Sequence, residues 1–150
     1  MTTIIAIDPG KKGGYCICLP VPGYAYNFTT LSEFIEEVTM QIEEVGDVVI
    51  VLEDPPPYAG KNIPSHTAFK LGRYVGQFEG VAQSLGLSLH LVSPRTWQKG
   101  IPGLTGLQGS PRKRALKEHA TRLYPKLKPT LNTCDAILIG HWFYHFQPNK

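Results

Sequence analysis

Three acidic residues stand where their carboxylates could take part in catalysis. Asp8 ends a short apolar run, and Glu53 ends a second run rich in β-branched residues. Asp135 lies in an apolar stretch, where a lone acid costs free energy unless it is paired or binds a metal. Three carboxylates brought together repel one another unless cations intervene, and magnesium favours such oxygen ligands. Two such ions about 3.5–4 Å apart catalyse phosphodiester hydrolysis.

Each of these acids also has an ordinary structural explanation. Asp8 precedes Pro9 and Gly10, and this order is good turn chemistry. Glu53 could simply end a strand, and Asp135 could pair with a lysine. The acids can act together only if the fold brings them together, so the elements between them must be considered.

Apolar periodicity predicts the order β-β-β-α-β-α-β-α-α. Thr30 and Glu33 form a capping box at the start of the first helix, and Gly46 ends it. If the strands that end at Asp8 and Glu53 are parallel neighbours, their ends coincide about 4.8 Å apart. The strands are predicted at residues 3–8, 15–19, 24–29, 48–53 and 87–92, and the later helices at 65–85, 111–123 and 131–146.

This order is that of a ribonuclease H-like fold, an α/β architecture with a mixed five-stranded sheet flanked by helices. A length of 150 residues fits one domain with a full core. We therefore expect a single ribonuclease H-like nuclease domain over residues 1–150.

The composition excludes several other classes of protein. Hydrophobic residues make up 42% and charged residues 18%, which excludes a disordered tail and a fibrous protein. No apolar run approaches the roughly 20 residues of a membrane span. The first residues lack the basic region of a signal peptide, and three cysteines are too few for a disulfide framework. We expect a reducing, cytoplasmic setting without a membrane partner.

Charge is distributed unevenly along a chain whose net charge is only +3. Residues 31–54 carry eight acids and no Lys or Arg, whereas residues 95–128 carry nine basic residues and one acid. A basic segment on a balanced domain indicates a polyanionic partner, and a solvated face is the alternative.

Several segments, in order along the chain, resemble the RuvC-type Holliday-junction resolvases, especially the smaller phage-like members. They resemble the opening strand and turn of that family, its second acidic strand, the entry to its central helix, the segment before its basic loop and its last acidic helix. The segments are residues 7–14, 51–53, 61–62 with 70–76, 92–99 and 135–139.

The resemblance implies a homodimer that acts on four-way DNA junctions and other branched DNA. It implies paired, symmetric nicks that leave 5′-phosphate and 3′-hydroxyl ends, with two magnesium or manganese ions per active site. Asp8, Glu53 and Asp135 match the metal-binding acids of the family. The cytoplasm would be that of a bacterium, or of a bacterial host if a phage encodes the protein.

One position departs from the family pattern. Three residues before the last aspartate the family usually has an acid or a histidine, and here stands Asn132. Helical spacing would keep Asn132 on the face of Asp135, and its amide oxygen can bind a hard cation without adding charge. Strand alternation directs Asp54 away from the site, and helical spacing directs His141 away. We expect Asn132 and water to complete the metal site.

A set of basic residues and one aromatic residue is expected to contact DNA. Tyr58 projects from a proline-rich loop near the place of a base-stacking aromatic residue in the family, and a packing role is its alternative. Neutralising several phosphates makes binding steeply dependent on salt. The expected contacts are Lys11, Lys12, Tyr58, Lys70, Arg73, Lys99, Lys113 and Arg114.

A stripe of glycines on one predicted helix is relevant to self-association. Gly72, Gly76 and Gly80 are spaced by four, and each glycine costs a helix about 1 kcal/mol relative to alanine. Close approach of another backbone would offset this cost. That backbone is either the sheet of the same chain or the same helix of a second subunit.

Three other functions remain open at this point. The first is a broader debranching nuclease, and the second is a ribonuclease H-fold nuclease that processes RNA. The third is a junction-binding protein with a decayed active site, for which Asn132 is the one hint.

Overall fold

A five-stranded mixed sheet lies at the centre of the protein, in a computed structural model that describes residues 1–55 and 63–146. The strand order is β3-β2-β1-β4-β5. β2 pairs antiparallel with β1 and β3, whereas β4 pairs parallel with β1 and β5. The strands are β1 (Thr2–Asp8), β2 (Gly14–Cys18), β3 (Pro22–Asn27), β4 (Asp47–Glu53) and β5 (Ser88–Val92).

Helices cover both faces of this sheet, and the expected α/β fold is confirmed. Residues of α1 and α2 share one buried cluster with the sheet, and residues of α3, α4 and α5 share the other. No helix in the described ranges is long and apolar enough to cross a membrane. The helices are α1 (Leu31–Val45), α2 (Ser65–Ser84), α3 (Pro94–Gln98), α4 (Gly109–Leu123) and α5 (Cys134–Phe146), with a 3-10 turn at Pro125–Leu127.

The two cores follow from the alternation of side chains along β1. Ile5 and Ile7 face the helices α1 and α2, and Ile4 and Ala6 face α5. Both sides of this central strand are therefore buried, which explains its continuous apolar sequence. The same burial leaves Asp8, at the end of β1, directly beside the core.

Several details of the predicted elements were wrong, among them the start of α4, which is Gly109 rather than residue 111. The short helix α3 was not predicted, and α5 begins at Cys134 rather than at residue 131. β3 begins at Pro22 rather than after Gly23. Proline is tolerated there because it is the first residue of an edge strand.

The start of β2 leaves no room for a side chain at Gly14. A Cβ there would lie 2.7 Å from the backbone oxygen of Tyr26 and 2.8 Å from that of Asn132. Only glycine therefore allows the turn before α5 to approach the sheet this closely.

We expect Gly14→Ala to lower the free energy of unfolding by about 2 kcal/mol or more, because two backbone segments must move apart. Thermal or denaturant unfolding measures the change. Gly23→Ala is the control, since its Cβ would lie at an ordinary 3.6 Å from the nearest oxygen. Equal stability of the two variants would contradict this account of the close approach.

Candidate functional site

Three carboxylates from distant parts of the sequence converge at the carboxyl ends of the central strands β1 and β4. Ile7 of β1 lies opposite Leu52 of the parallel strand β4, so the next residues, Asp8 and Glu53, emerge side by side. Asp135 joins them from the first turn of α5 and is only 8% exposed. The charges of Asp135 and Glu53 act on Asp8, and the charge of Asp135 acts on Glu53.

A threonine-rich turn sets the start of α5 and therefore the position of Asp135. The backbone N–H of Thr130 donates to Thr133 Oγ1 at 3.0 Å, and that of Thr133 donates to Thr130 Oγ1 at 3.2 Å. The N–H of Cys134 donates to the Thr130 carbonyl at 2.9 Å. This turn packs against Gly14, so it brings the first turn of α5 to the end of β1.

Lys113 of α4 supplies a positive charge inside the carboxylate cluster. Its Nζ lies 2.6 Å from Asp135 Oδ2 and 3.9 Å from Asp8 Oδ2. The lysine side chain is 34% exposed, whereas those of the two aspartates are 13% or less. The pairing of Asp135 with a lysine, considered above as an alternative, is therefore present. One ammonium can balance only part of the charge of three carboxylates.

The electrostatics of the cluster favour protonated or cation-bound carboxyl groups. Burial, together with the nearby charges of Asp135 and Glu53, raises the pKa of Asp8 well above its usual value. Burial raises the pKa of Glu53 from 4.5 to about 7, although a hydrogen bond from Trp97 opposes the shift. The pKa of Lys113 is raised, because attraction to Asp135 and Asp8 outweighs the effect of its burial.

These shifts predict how the stability of the metal-free protein depends on pH. The pKa of Glu53 is about 7 in the folded chain against 4.5 as its ordinary value, so its protonated form stabilises the fold. That stability is fully present below pH 4.5 and is lost as the pH rises to about 7. The shift of Asp8 acts in the same direction.

We therefore expect the midpoint of thermal unfolding in chelator to fall between about pH 5 and about pH 8. The Glu53 contribution is roughly 3 kcal/mol at the high-pH end. Glu53→Gln should flatten this dependence, because an amide does not titrate. An equally steep dependence in Glu53→Gln would assign the effect to other groups.

The donor set suits a hard divalent cation, although the side chains are not arranged as a ready-made metal cage. Carboxylate oxygens are the ligands that magnesium and manganese prefer. Over residues 1–55 and 63–146, no three His, Cys, Asp or Glu side chains are placed to hold a metal ion together. Lys113 explains part of this, because its ammonium already bridges two of the three acids. A cation bound by Asp8 and Asp135 must compete with it.

Asn132 lies outside α5, and its backbone oxygen faces Gly14, the residue paired with Asp8. It belongs to the turn before the helix, so the helical spacing assumed for the pair Asn132 and Asp135 does not apply. Within the described residues its side chain makes no hydrogen bond or ion pair, and its role as a ligand stays a prediction. His141 points elsewhere, because its Nδ1 lies 2.6 Å from the hydroxyl of Tyr124.

The residues expected to contact DNA occupy three different places. Lys11, Lys70 and Arg73 line one cleft of about 570 Å³ between the β1–β2 turn and α2. Lys113 lies inside the carboxylate cluster instead of on an outer face. Tyr58 lies outside the described residues. The remaining residues of the set are exposed elsewhere: Lys12, Lys99 and Arg114.

Two contacts near the site have no signal in the sequence. Trp97 donates a hydrogen bond from Nε1 to Glu53 Oε2 at 2.7 Å, across 44 positions of the chain. Arg112 binds the carbonyls of Leu104 and Leu107 and the amide oxygen of Gln98, and so fastens the glycine-rich loop before α4. The contact between Trp97 and Glu53 could have been predicted only if related proteins were known to carry the same two residues at this separation in sequence.

Comparison with known proteins supports the fold. The structure of Thermus thermophilus RuvC in complex with a Holliday junction substrate aligns with a TM-score of 0.62 and 14% identity, over 96% of this chain and 94% of that chain. A second Thermus thermophilus RuvC structure aligns with a TM-score of 0.58 and 15% identity, over 95% and 94%. No family model and no curated protein matches the sequence. At this identity the similarity establishes a common fold.

Proposed function

We propose that this protein is a metal-dependent endonuclease that resolves four-way DNA junctions. One observation carries the proposal: Asp8, Glu53 and Asp135 meet at the edge of a sheet whose fold matches a RuvC bound to a Holliday junction. A basic cleft supports a nucleic-acid substrate, since Lys11, Lys70 and Arg73 line it together with Gly10, two residues after Asp8. The bacterial source of the matched structures supports a bacterial or phage setting in recombination or repair.

The three acids are the residues that would hold the metal, with Asn132 as the proposed further ligand. Magnesium or manganese held there, with two ions expected per active site, would activate a water and stabilise the leaving oxygen of the phosphodiester. Such hydrolysis would leave 5′-phosphate and 3′-hydroxyl ends.

The chain itself prepares the site in two ways. Burial of the carboxyl groups raises the pKa of Asp8 and Glu53, which makes the metal-free cluster unfavourable at neutral pH and favours cation binding. Lys113 holds Asp135 and Asp8 at one place and brings a positive charge to the point where a DNA phosphate would enter.

The test uses labelled substrates of different shape. A four-way junction, a three-way branch, a linear duplex and an RNA–DNA hybrid are each incubated with the protein, in magnesium and in chelator. We expect metal-dependent, symmetric cutting of the four-way junction. Equal cutting of the three-way branch would indicate a debranching nuclease, and cutting of the hybrid an RNA-processing nuclease. Binding without cutting, in magnesium and also when manganese replaces it, would indicate a decayed site.

Paired nicks require two active sites, and we propose that α2 forms a homodimer contact. A Cβ on Gly72, Gly76 or Gly80 would meet no described atom within 4 Å, so the sheet does not account for the stripe. Phe69 lies in line with it, three residues before Gly72, and is 66% exposed. A flat stripe beside an exposed aromatic ring suits close packing against a second copy of the helix.

We expect the wild-type protein to have twice the mass of one chain in light scattering. Gly76→Arg should return it to the mass of one chain without lowering the melting temperature, because the added side chain enters open space. Gln77→Arg is the control, since it is exposed and lies about 100° further round the helix. A monomeric wild type would argue against this contact and against paired nicking.

A further inference from the structure

Trp97 makes a contact that a core tryptophan does not need for packing. Its indole N–H donates to Glu53 Oε2 at 2.7 Å, although the side chain is only 2% exposed. Indole is a donor only, and a bond from it takes one lone pair of the carboxylate. It therefore restricts rotation of the Glu53 carboxyl group about its last torsion.

The surroundings of Trp97 hold the indole in place. α3 is a single short helix capped by Ser93, whose hydroxyl accepts from the N–H of Thr96 at 3.2 Å. The ring belongs to the buried cluster that also contains Val92 and Leu116. A ring packed on all sides cannot follow a moving carboxylate, so it serves as a fixed donor.

We propose that Trp97 is a positioning residue, which holds the carboxylate of Glu53 in the orientation needed to bind a divalent cation with Asp8 and Asp135. This inference rests on the proposed function, because it requires Glu53 to be a metal ligand. The bond occupies Oε2 on one side, so the remaining lone pairs of the carboxylate are left for the cation.

The main test is the affinity for manganese in the absence of DNA, measured by calorimetry on the full chain. Trp97→Phe keeps an aromatic ring and loses the donor. We expect its affinity to fall by about tenfold or more, as with other donors that orient metal ligands. Trp142→Phe changes the only other tryptophan, on α5, and should leave the affinity within about twofold.

A double-mutant cycle separates positioning from a structural effect. In a Glu53→Gln background, we expect Trp97→Phe to cause no further loss of manganese affinity, because the oriented carboxylate is already gone. An equal loss in both backgrounds would mean that Trp97 acts through the fold, and would overturn the inference.

A second measurement serves if Trp97→Phe does not fold. The Trp142→Phe protein has Trp97 as its one tryptophan, so its fluorescence reports the indole beside Glu53. We expect added magnesium to change this emission, and the change to disappear after Glu53→Gln. No change in emission would overturn the inference.

The outcomes also distinguish this inference from the proposed function. If wild type binds manganese and Trp97→Phe binds it equally well, the positioning role is wrong and the nuclease proposal stands. If wild type binds neither manganese nor magnesium, both are wrong.

Discussion

We expect Asp8→Asn to lower the rate of four-way junction cleavage by a factor on the order of 10³ or more, while the protein still binds the junction. Asp8 lies beside Glu53 at the ends of two paired strands, and its carboxylate is 3.9 Å from the ammonium of Lys113. An amide keeps the size of the side chain but removes the charge that a divalent cation requires. Cleavage is measured on denaturing gels and binding on native gels.

Loss of folding cannot account for this expected result. The pKa of Asp8 is raised by burial and by two neighbouring acids, so its ionised form destabilises the metal-free fold. Asp8→Asn should therefore melt at the same temperature as wild type in chelator, or higher. Asp54→Asn is the matched control, because Asp54 follows Glu53 directly but is exposed. Cleavage retained in Asp8→Asn would refute the proposed active site.

Lys113→Met is expected to have the second largest effect, a loss of cleavage of about 10²-fold at saturating magnesium. Lys113 lies 2.6 Å from Asp135, and methionine keeps most of its apolar length without the charge. Two effects follow from the loss of the ammonium: a divalent cation no longer competes with it for Asp8 and Asp135, and the incoming phosphate meets no positive side chain there. At saturating magnesium only the second effect remains, so cleavage falls. Single-turnover cleavage rates over a range of magnesium concentrations measure the loss.

The same variant also affects the metal-free protein. Its melting temperature in chelator at about pH 8 should fall, because the carboxylates lose their partner, and magnesium should restore much of it. Lys117→Met, one turn further along α4, is exposed and serves as the control with rates within about twofold of wild type. If both lysine variants cleave equally well, Lys113 has only the role of a surface charge.

The basic run of α4 illustrates where prediction from the sequence fails. Arg112, Lys113 and Arg114 are adjacent and all basic, and the sequence alone places them in one basic segment. In the fold Arg112 binds loop carbonyls, Lys113 joins the acids, and Arg114 is exposed. Successive residues of a helix point about 100° apart, so what each one meets depends on which elements pack around it.

Local sequence patterns were sufficient to predict the fold, because they reflect interactions between residues close together in the chain. The apolar run that ends at Asp8 and the β-branched run that ends at Glu53 predicted two strands, and the capping box at Thr30 predicted the start of α1. In the structure Thr30 Oγ1 accepts from the N–H of Glu33 at 3.1 Å. The spacing of apolar residues and the residues that cap a helix can be recognised within short stretches of the sequence, so they predict strands and helices.

The sequence by itself therefore determined most of the elements, the fold class and the three acids that could meet. Only the tertiary structure decided that Lys113 lies among these acids, that Trp97 binds Glu53, and that the glycine stripe of α2 meets none of the described residues. The two contacts join residues that are 22 and 44 positions apart in the sequence. The surroundings of the glycine stripe depend on which elements pack beside α2. No local pattern encodes them, because they arise only when separate elements pack together.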